Sequence, residues 1–257
     1  MQWSMLSPVT TTISRTIKSA RKFVPIVSLL VWLNSAHADC VVLLHGLARG
    51  ASSMTSMTSM ADALVKADYR IANVGYRSRK QQIEHIAGPT IEQGLNECDL
   101  TAGERIHFVT HSLGGILLRY YLSNNERTQV SDRLGHVIML GPPNQGSEVV
   151  DALKGIPGYS WLNGPAGYQL GTDEKSVPLL LPAVDFSLGV IAGSRSIDPI
   201  SSFFLPNPDD GKVSVASTRV EGMRDHMVMP VTHTFMMNSE KVQEQVVYYL
   251  RNGAFDR

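Results

Sequence analysis

The hexapeptide Thr110-His111-Ser112-Leu113-Gly114-Gly115 places a serine between an apolar run, Arg105 to His111, and a helical pattern, Leu113 to Leu122. A serine on so sharp a strand-to-helix turn is held in strained backbone geometry with its hydroxyl above the sheet, and small neighbours keep the turn free of clashes. Gly114 meets that need, whereas Thr110 stands where such turns commonly carry glycine. The same serine could serve only as a helix N-cap. That role would leave a second signal unexplained, His45-Gly46-Leu47 at the end of an earlier apolar run. A turn there presents a backbone N–H which, with the N–H after the nucleophile, can hold a developing oxyanion. Leu47 and Leu113 are the two donors expected, and His45, Gly46 and His111, from the same two turns, are expected against the substrate.

A serine hydroxyl at its ordinary pKa is a poor nucleophile, so a base must take its proton and later return it to the leaving group. Histidine suits that task near neutral pH, and eight are present. His37 lies in the N-terminal segment, His45 and His111 in the two turns, and His85, His107 and His136 before or within early elements. His226 and His233 remain. Where a nucleophile sits on such a turn the chain order is serine, acid, histidine, with the histidine after the last strand. His233 follows the apolar Met227 to Val231, whereas His226 falls beside or inside it. The acid belongs in the loop after Phe186 to Ala192, which offers Asp198, Asp209 and Asp210. Asp210 heads Asp-Gly-Lys-Val, a tight turn that would fix a carboxylate, although an acid before glycine is also ordinary turn chemistry.

The elements that must position these residues follow from periodicity. Apolar runs alternate with helical patterns from Cys40 onward, the signature of an α/β fold with a mostly parallel sheet and helices on both faces. Strands are expected over Cys40 to His45, Tyr69 to Tyr76, Arg105 to His111, His136 to Leu140, Phe186 to Ala192, and within Arg219 to Val231. Helices are expected over Ser56 to Ala67, Gln81 to Cys98, Leu113 to Leu122 and Ser239 to Arg251, with Gly253 as C-cap and Gly88-Pro89 interrupting or restarting the second. Between Gln145 and Val184 the alternation fails around a short helical piece, Glu148 to Lys154. A stretch so long is either a surface loop or a cap over the strand ends, where ligands bind in open α/β sheets. Val177 to Leu181 and the aromatics Tyr159, Trp161 and Tyr168 need burial, which favours a cap over residues 145–184.

Arg15, Lys18, Arg21 and Lys22 precede an uncharged apolar run from Phe23 to Leu33, and Ala36 and Ala38 then offer small side chains. That is the pattern of an export signal over residues 1–38 with cleavage before Asp39, and the run is about half the ~20 residues that span a bilayer. The expected destination is the periplasm or the exterior, with residues 39–257 as one domain and no stable membrane span after cleavage. In such a compartment Cys40 and Cys98 are expected to bridge; two unpaired thiols are the alternative, since geometry decides. With 23 basic and 23 acidic residues scattered along the chain, no nucleic-acid footprint is present. Asp225 beside His226 falls short of a hydrolytic metal site, so no metal is expected.

The segments THSLGG, HGL, PDDGKV and VTHTF together resemble bacterial lipases and esterases of the α/β-hydrolase superfamily, over nearly all of the chain from Asp39. The resemblance implies the α/β-hydrolase fold, an acyl-enzyme on Ser112, a triad with Asp210 and His233, and no cofactor. Gly141-Pro142-Pro143-Asn144 resembles a turn that borders the acyl pocket in such enzymes, which puts Pro142 against the substrate. Thr110 resembles variants in which a slightly larger residue replaces the glycine. The expected substrate is a small-molecule or lipid carboxylic ester. Acyl transfer, thioester hydrolysis and a binding protein without turnover stand as alternatives on the same frame.

Overall fold

The computed structural model describes residues 39–47, 57–124 and 130–257. The expected export signal, residues 1–38, lies outside them, as does Ser56 at the start of the first expected helix. The described residues form one compact unit. The chain runs β1 (Cys40–Leu44), α1 (Thr58–Lys66), β2 (Arg70–Val74), α2 (Ile83–Cys98), β3 (Ile106–His111), α3 (Leu113–Ser123) and β4 (Leu134–Leu140). It continues through α4 (Glu148–Leu153), α5 (Tyr159–Tyr168), α6 (Val177–Leu180), β5 (Leu188–Gly193), α7 (Pro199–Phe203), β6 (Asp225–Met229) and α8 (Glu240–Asn252). The six strands form one sheet in the order β2-β1-β3-β4-β5-β6, every pair parallel. This is the α/β-hydrolase fold.

Successive residues of a strand face opposite sides of the sheet, and β1 shows how the two faces are filled. Val41 and Leu43 meet Met57, Met60 and Leu64 around α1 and Val242 and Val246 of α8. Cys40, Val42 and Leu44 meet Ile91 of α2 and Leu118 and Tyr121 of α3. The strands therefore read as continuous apolar runs because both faces are covered. Cys40 and Cys98 are joined by a disulfide that ties the start of β1 to the end of α2.

Two expectations at this level are corrected. Of the residues expected to need burial in 145–184, Trp161, Tyr168, Leu179 and Leu180 are exposed, since only one side of the short helices there packs on the domain. Gly88-Pro89 does not interrupt α2, which is continuous from Ile83 to Cys98 with Pro89 inside it. Proline forfeits the hydrogen bond to the carbonyl four residues back, here that of His85. Both residues are exposed, so water can serve that carbonyl and the ring projects into solvent.

The segment after β4 holds more helix than its sequence pattern suggests. Beyond α4 it contains α5, kinked at Gly164 where φ is 67°, with Pro165 following, and the single turn α6. These breaks hide the 3.6-residue period. Val150, Ala166, Leu170 and Val177 of this segment pack on Ile83 and Ile86 of α2 and on Leu113, Ile116 and Leu117 of α3.

Candidate active site

Because all strands are parallel, their C-terminal ends share one edge, where ligands bind in open α/β sheets. The turns after β1, β3 and β4 and the loops after β5 and β6 all leave from it, carrying His45 to Leu47, Ser112, Gly141 to Asn144, Asp210 and His233.

Ser112 joins β3 directly to α3 with φ 52° and ψ −122°. Left-handed φ is costly for a non-glycine residue and persists only where the surroundings impose it. Here the Ser112 N–H donates to the Leu140 carbonyl at 2.9 Å, and the side chain makes no capping bond to its own helix. The N-cap alternative is thereby excluded. A Cβ on Gly114 would lie 2.6 Å from the Leu44 carbonyl oxygen and 2.8 Å from that of His45, and a Cβ on Gly46 would lie 2.9 Å from Ser112 Cβ. Two glycines thus let the turn after β1 interlock with the serine turn. Thr110, in β3, is fully buried and is tolerated there.

His233 follows β6 in an irregular loop. Its Nδ1 donates to Asp210 Oδ2 at 2.7 Å, and its backbone N–H donates to the Asp210 carbonyl at 2.9 Å. The other carboxylate oxygen, Oδ1, accepts from the backbone N–H groups of Lys212 at 2.9 Å and Val213 at 2.8 Å. Asp210 is 2% exposed, so the turn that holds it supplies the hydrogen bonds a buried carboxylate needs. The two other acids in this loop are occupied elsewhere. Asp209 accepts from Ser202 Oγ and the Gly211 N–H. Asp198 caps α7 through Ser201 and pairs with Lys212, whose ammonium and the Ser201 bonds hold its carboxyl well below the usual range. His226 lies inside β6, with its Nε2 on Thr218 Oγ1 at 2.9 Å.

Ser112 and His233 open on one cavity of about 390 Å³, lined also by Gly46, Leu47, His111 and Pro143. Its apolar wall comes from Val149, Val150, Leu153, Tyr159, Leu162 and Leu170 of the segment after β4, with Val213 and Met237 opposite. A larger depression of about 820 Å³ between α1 and α8 is lined by Asp62, Lys66, Glu244 and Arg251 and holds none of the candidate residues.

Of the residues expected against substrate, Gly46 and His111 line the cavity and His45 and Pro142 do not. His45 is fully buried, its ring turned to Tyr76 at a centroid distance of 4.0 Å. The ring fits beneath the turn because both of its nitrogens find partners there. Pro142 lies instead against the serine helix, its Cβ 3.3 Å from where a Cβ on Gly115 would stand, and Pro143 takes the lining position. His111 Nε2 donates to the His233 carbonyl at 2.9 Å. Burial first, and the neighbouring His233 second, push its pKa well below that of a free imidazole. Leu47 lines the cavity, and Leu113 is the first residue of α3, where a backbone N–H has no partner within its own helix.

Among the described residues no group of three or more His, Cys, Asp or Glu is arranged to hold a metal ion, and no helix is long and apolar enough to cross a membrane.

A family model described as palmitoyl protein thioesterase matches residues 40–173, just over half of the 257. The chain belongs to the palmitoyl protein thioesterase family. Family and fold together make it a serine hydrolase of the α/β-hydrolase superfamily. Among solved structures it is similar to the mature lipase BlEst2 of Bacillus licheniformis, at 17% identity and TM-score 0.61, covering 84% of this chain and 93% of that one. Phospholipase PlaB of Legionella pneumophila is 16% identical at TM-score 0.63, covering 85% of this chain and 60% of that one. Lipase B of Aspergillus fumigatus is 13% identical at TM-score 0.61, over 87% and 55% respectively. The chain therefore spans about three fifths of PlaB and about half of lipase B. At such identities the likeness carries the family member's fold and not its substrate. No curated protein matches the chain.

Proposed function

We propose that this family member hydrolyses acyl esters through an acyl-enzyme on Ser112. The observation that carries the reading is the strained turn at Ser112 opening on the same cavity as His233, whose far nitrogen is held by the buried Asp210. His233 Nε2 takes the proton as Ser112 Oγ attacks the acyl carbonyl. The Leu47 and Leu113 N–H groups receive the oxyanion, and the carbon–oxygen bond to the alcohol breaks as His233 returns the proton to it. Water then attacks the acyl-enzyme by the same route, releasing the acid and restoring Ser112. Asp210 holds the Nδ1–H tautomer that leaves Nε2 free to act as base.

The cavity, of about 390 Å³ with an apolar wall, suits an acyl chain of medium length. Residues 145–184, which supply its apolar wall, act as the cap. A thioester is the second reading, favoured by the family match over residues 40–173. Export, with cleavage before Asp39, is supported by the Cys40–Cys98 disulfide, a bond that persists in oxidising compartments.

The test is fluorophosphonate labelling of wild type, Ser112→Ala and His233→Ala, with turnover of p-nitrophenyl esters from acetyl to palmitoyl and of matched S-acyl substrates. Labelling lost in both variants, kcat lowered by about 10⁶-fold, and a medium-chain optimum are expected. A folded wild type that fails to label would make this a binding protein on a hydrolase frame.

A further inference from the structure

The oxyanion N–H of Leu47 belongs to the Gly46–Leu47 peptide, and in a trans peptide the carbonyl and the N–H point in opposite directions. Whatever fixes the Gly46 carbonyl therefore fixes the aim of the Leu47 N–H. His45 Nδ1 is 2.6 Å from the Gly46 carbonyl oxygen. A carbonyl can only accept, so the ring proton resides on Nδ1 and Nε2 is left as an acceptor. Nε2 faces the backbone N–H of Tyr76 at 3.4 Å. The Tyr76 ring stacks on the imidazole at 4.0 Å and 12°, and its hydroxyl donates to the His45 carbonyl. Both carbonyls of the turn, and both nitrogens of the ring that holds one of them, are thus committed. Burial keeps His45 neutral and Tyr76 protonated, the single forms in which these bonds can all be made.

From this latch we infer that Tyr76, two residues past the end of β2, is a positioning residue of the oxyanion hole, acting through His45 on the Gly46–Leu47 peptide. The inference rests on the acyl-enzyme reading above. Tyr76 is absent from the cavity wall. What it contributes is preorganisation: a donor already aimed where charge develops costs no reorientation during the reaction. A loop without the latch would still bind the acyl group but would lose one oxyanion donor for part of the time.

Tyr76→Phe keeps the stacked ring and deletes only the bond to the His45 carbonyl. It is expected to lower kcat for p-nitrophenyl butyrate by about 10- to 100-fold, below the loss of a whole donor, with KM unchanged. The affinity for phenylboronic acid, whose adduct on Ser112 places an oxygen in the hole, should fall by the same factor. A merely structural role would move KM or folding and would not couple kcat to boronate affinity. Should Tyr76→Phe fail to fold, His45→Asn and His45→Leu carry the same test, because asparagine keeps an amide donor near the Nδ1 position. His45→Asn should then turn over about 10-fold faster than His45→Leu. An unaltered kcat in Tyr76→Phe, kcat and boronate affinity that change independently, or equal rates for the two His45 variants overturns the inference. Fluorophosphonate labelling of the wild type separates the two levels. If the wild type does not label, the acyl-enzyme reading falls and this inference with it; if it labels and Tyr76→Phe is unaffected, only the inference falls.

Discussion

A methyl group on Gly141 would lie 3.0 Å from Asp210 Oδ2 and 3.1 Å from His233 Nδ1, at a φ of +54°. Those two atoms form the hydrogen bond on which the tautomer of His233 depends, so Gly141→Ala has to push them apart or move its own backbone. A misplacement of about 1 Å can cost 10²-fold in rate, and a drop in kcat of at least that size is expected. Steady-state turnover of a p-nitrophenyl ester measures it, and wild-type rates would mean that the backbone absorbs the methyl group without parting the pair. Asp210→Asn should cost about 10⁴-fold in kcat, as loss of the correct tautomer does. Asp209→Asn, which disturbs only the Ser202 and Gly211 bonds, should leave kcat within about tenfold. That Ser112, Asp210 and His233 come together was legible in the sequence, because their order and their placement after predicted strands are local facts. The part played by Gly141 was not, since its partners come from loops 69 and 92 residues later in the chain. His45 was misread for a related reason. The motif identifies the turn, but only the contact with Tyr76, 31 residues on, decides which way the ring faces.

Arg119 shows what helical periodicity omits. At helical spacing Leu113, Leu117, Tyr120 and Tyr121 share one face of α3, yet Arg119, off that face, is only 4% exposed. Its guanidinium donates to Asn144 O and Oδ1, each at 3.2 Å, and to the carbonyls of Leu181 at 3.3 Å and Pro182 at 3.1 Å. One side chain on the helix after the nucleophile therefore holds both ends of the segment that walls the cavity. Burial pulls its pKa down to about 10, still above neutrality. Arg119→Met would leave four acceptors without their donor; at about 1 kcal/mol each, the low end for an unsatisfied group, less about 1 kcal/mol for the apolar side chain buried in its place, a net loss of roughly 3 kcal/mol is expected. Calorimetry should show this as a fall in Tm of about 6–12 °C, at 2–4 °C per kcal/mol for a domain of this size. Arg119→Lys should not restore it, because a single ammonium cannot span four acceptors. A Tm within about 2 °C of wild type would mean that other contacts hold the segment. Strands and long helices were legible because their period is built into each one. The tether was not, since nothing near position 119 distinguishes a buried arginine from one on a solvated face.

Across the whole fold, five histidines among the described residues sit in settings that oppose protonation. Burial is the leading cause of a lowered pKa at His45, His107, His111, His136 and His226. Asp39 beside His107 and Asp225 beside His226 only partly offset it. In the unfolded chain each imidazole binds a proton near pH 6.5, whereas the folded protein binds it only at lower pH. Between those values the unfolded state carries more protons, so stability rises with pH there. The contribution is complete above about pH 6.5 and is lost as pH falls through and below it, until the folded form also protonates, at about 4 for His226. For each of the three most buried, His45, His107 and His111, the slope is at most about 1.4 kcal/mol per pH unit. Aspartates whose folded pKa is depressed, Asp151, Asp198 and Asp225, add a loss of the same sign at lower pH. Calorimetric Tm should therefore stay level between about pH 7 and 9 and fall steadily from about pH 6.5 towards 4. His226→Gln, which removes a ring whose Nδ1 is buried without a partner, should flatten that fall without changing its direction. A Tm that holds level or rises on acidification would show that these imidazoles take up protons in the folded state as readily as in the unfolded one, and that burial does not govern their charge.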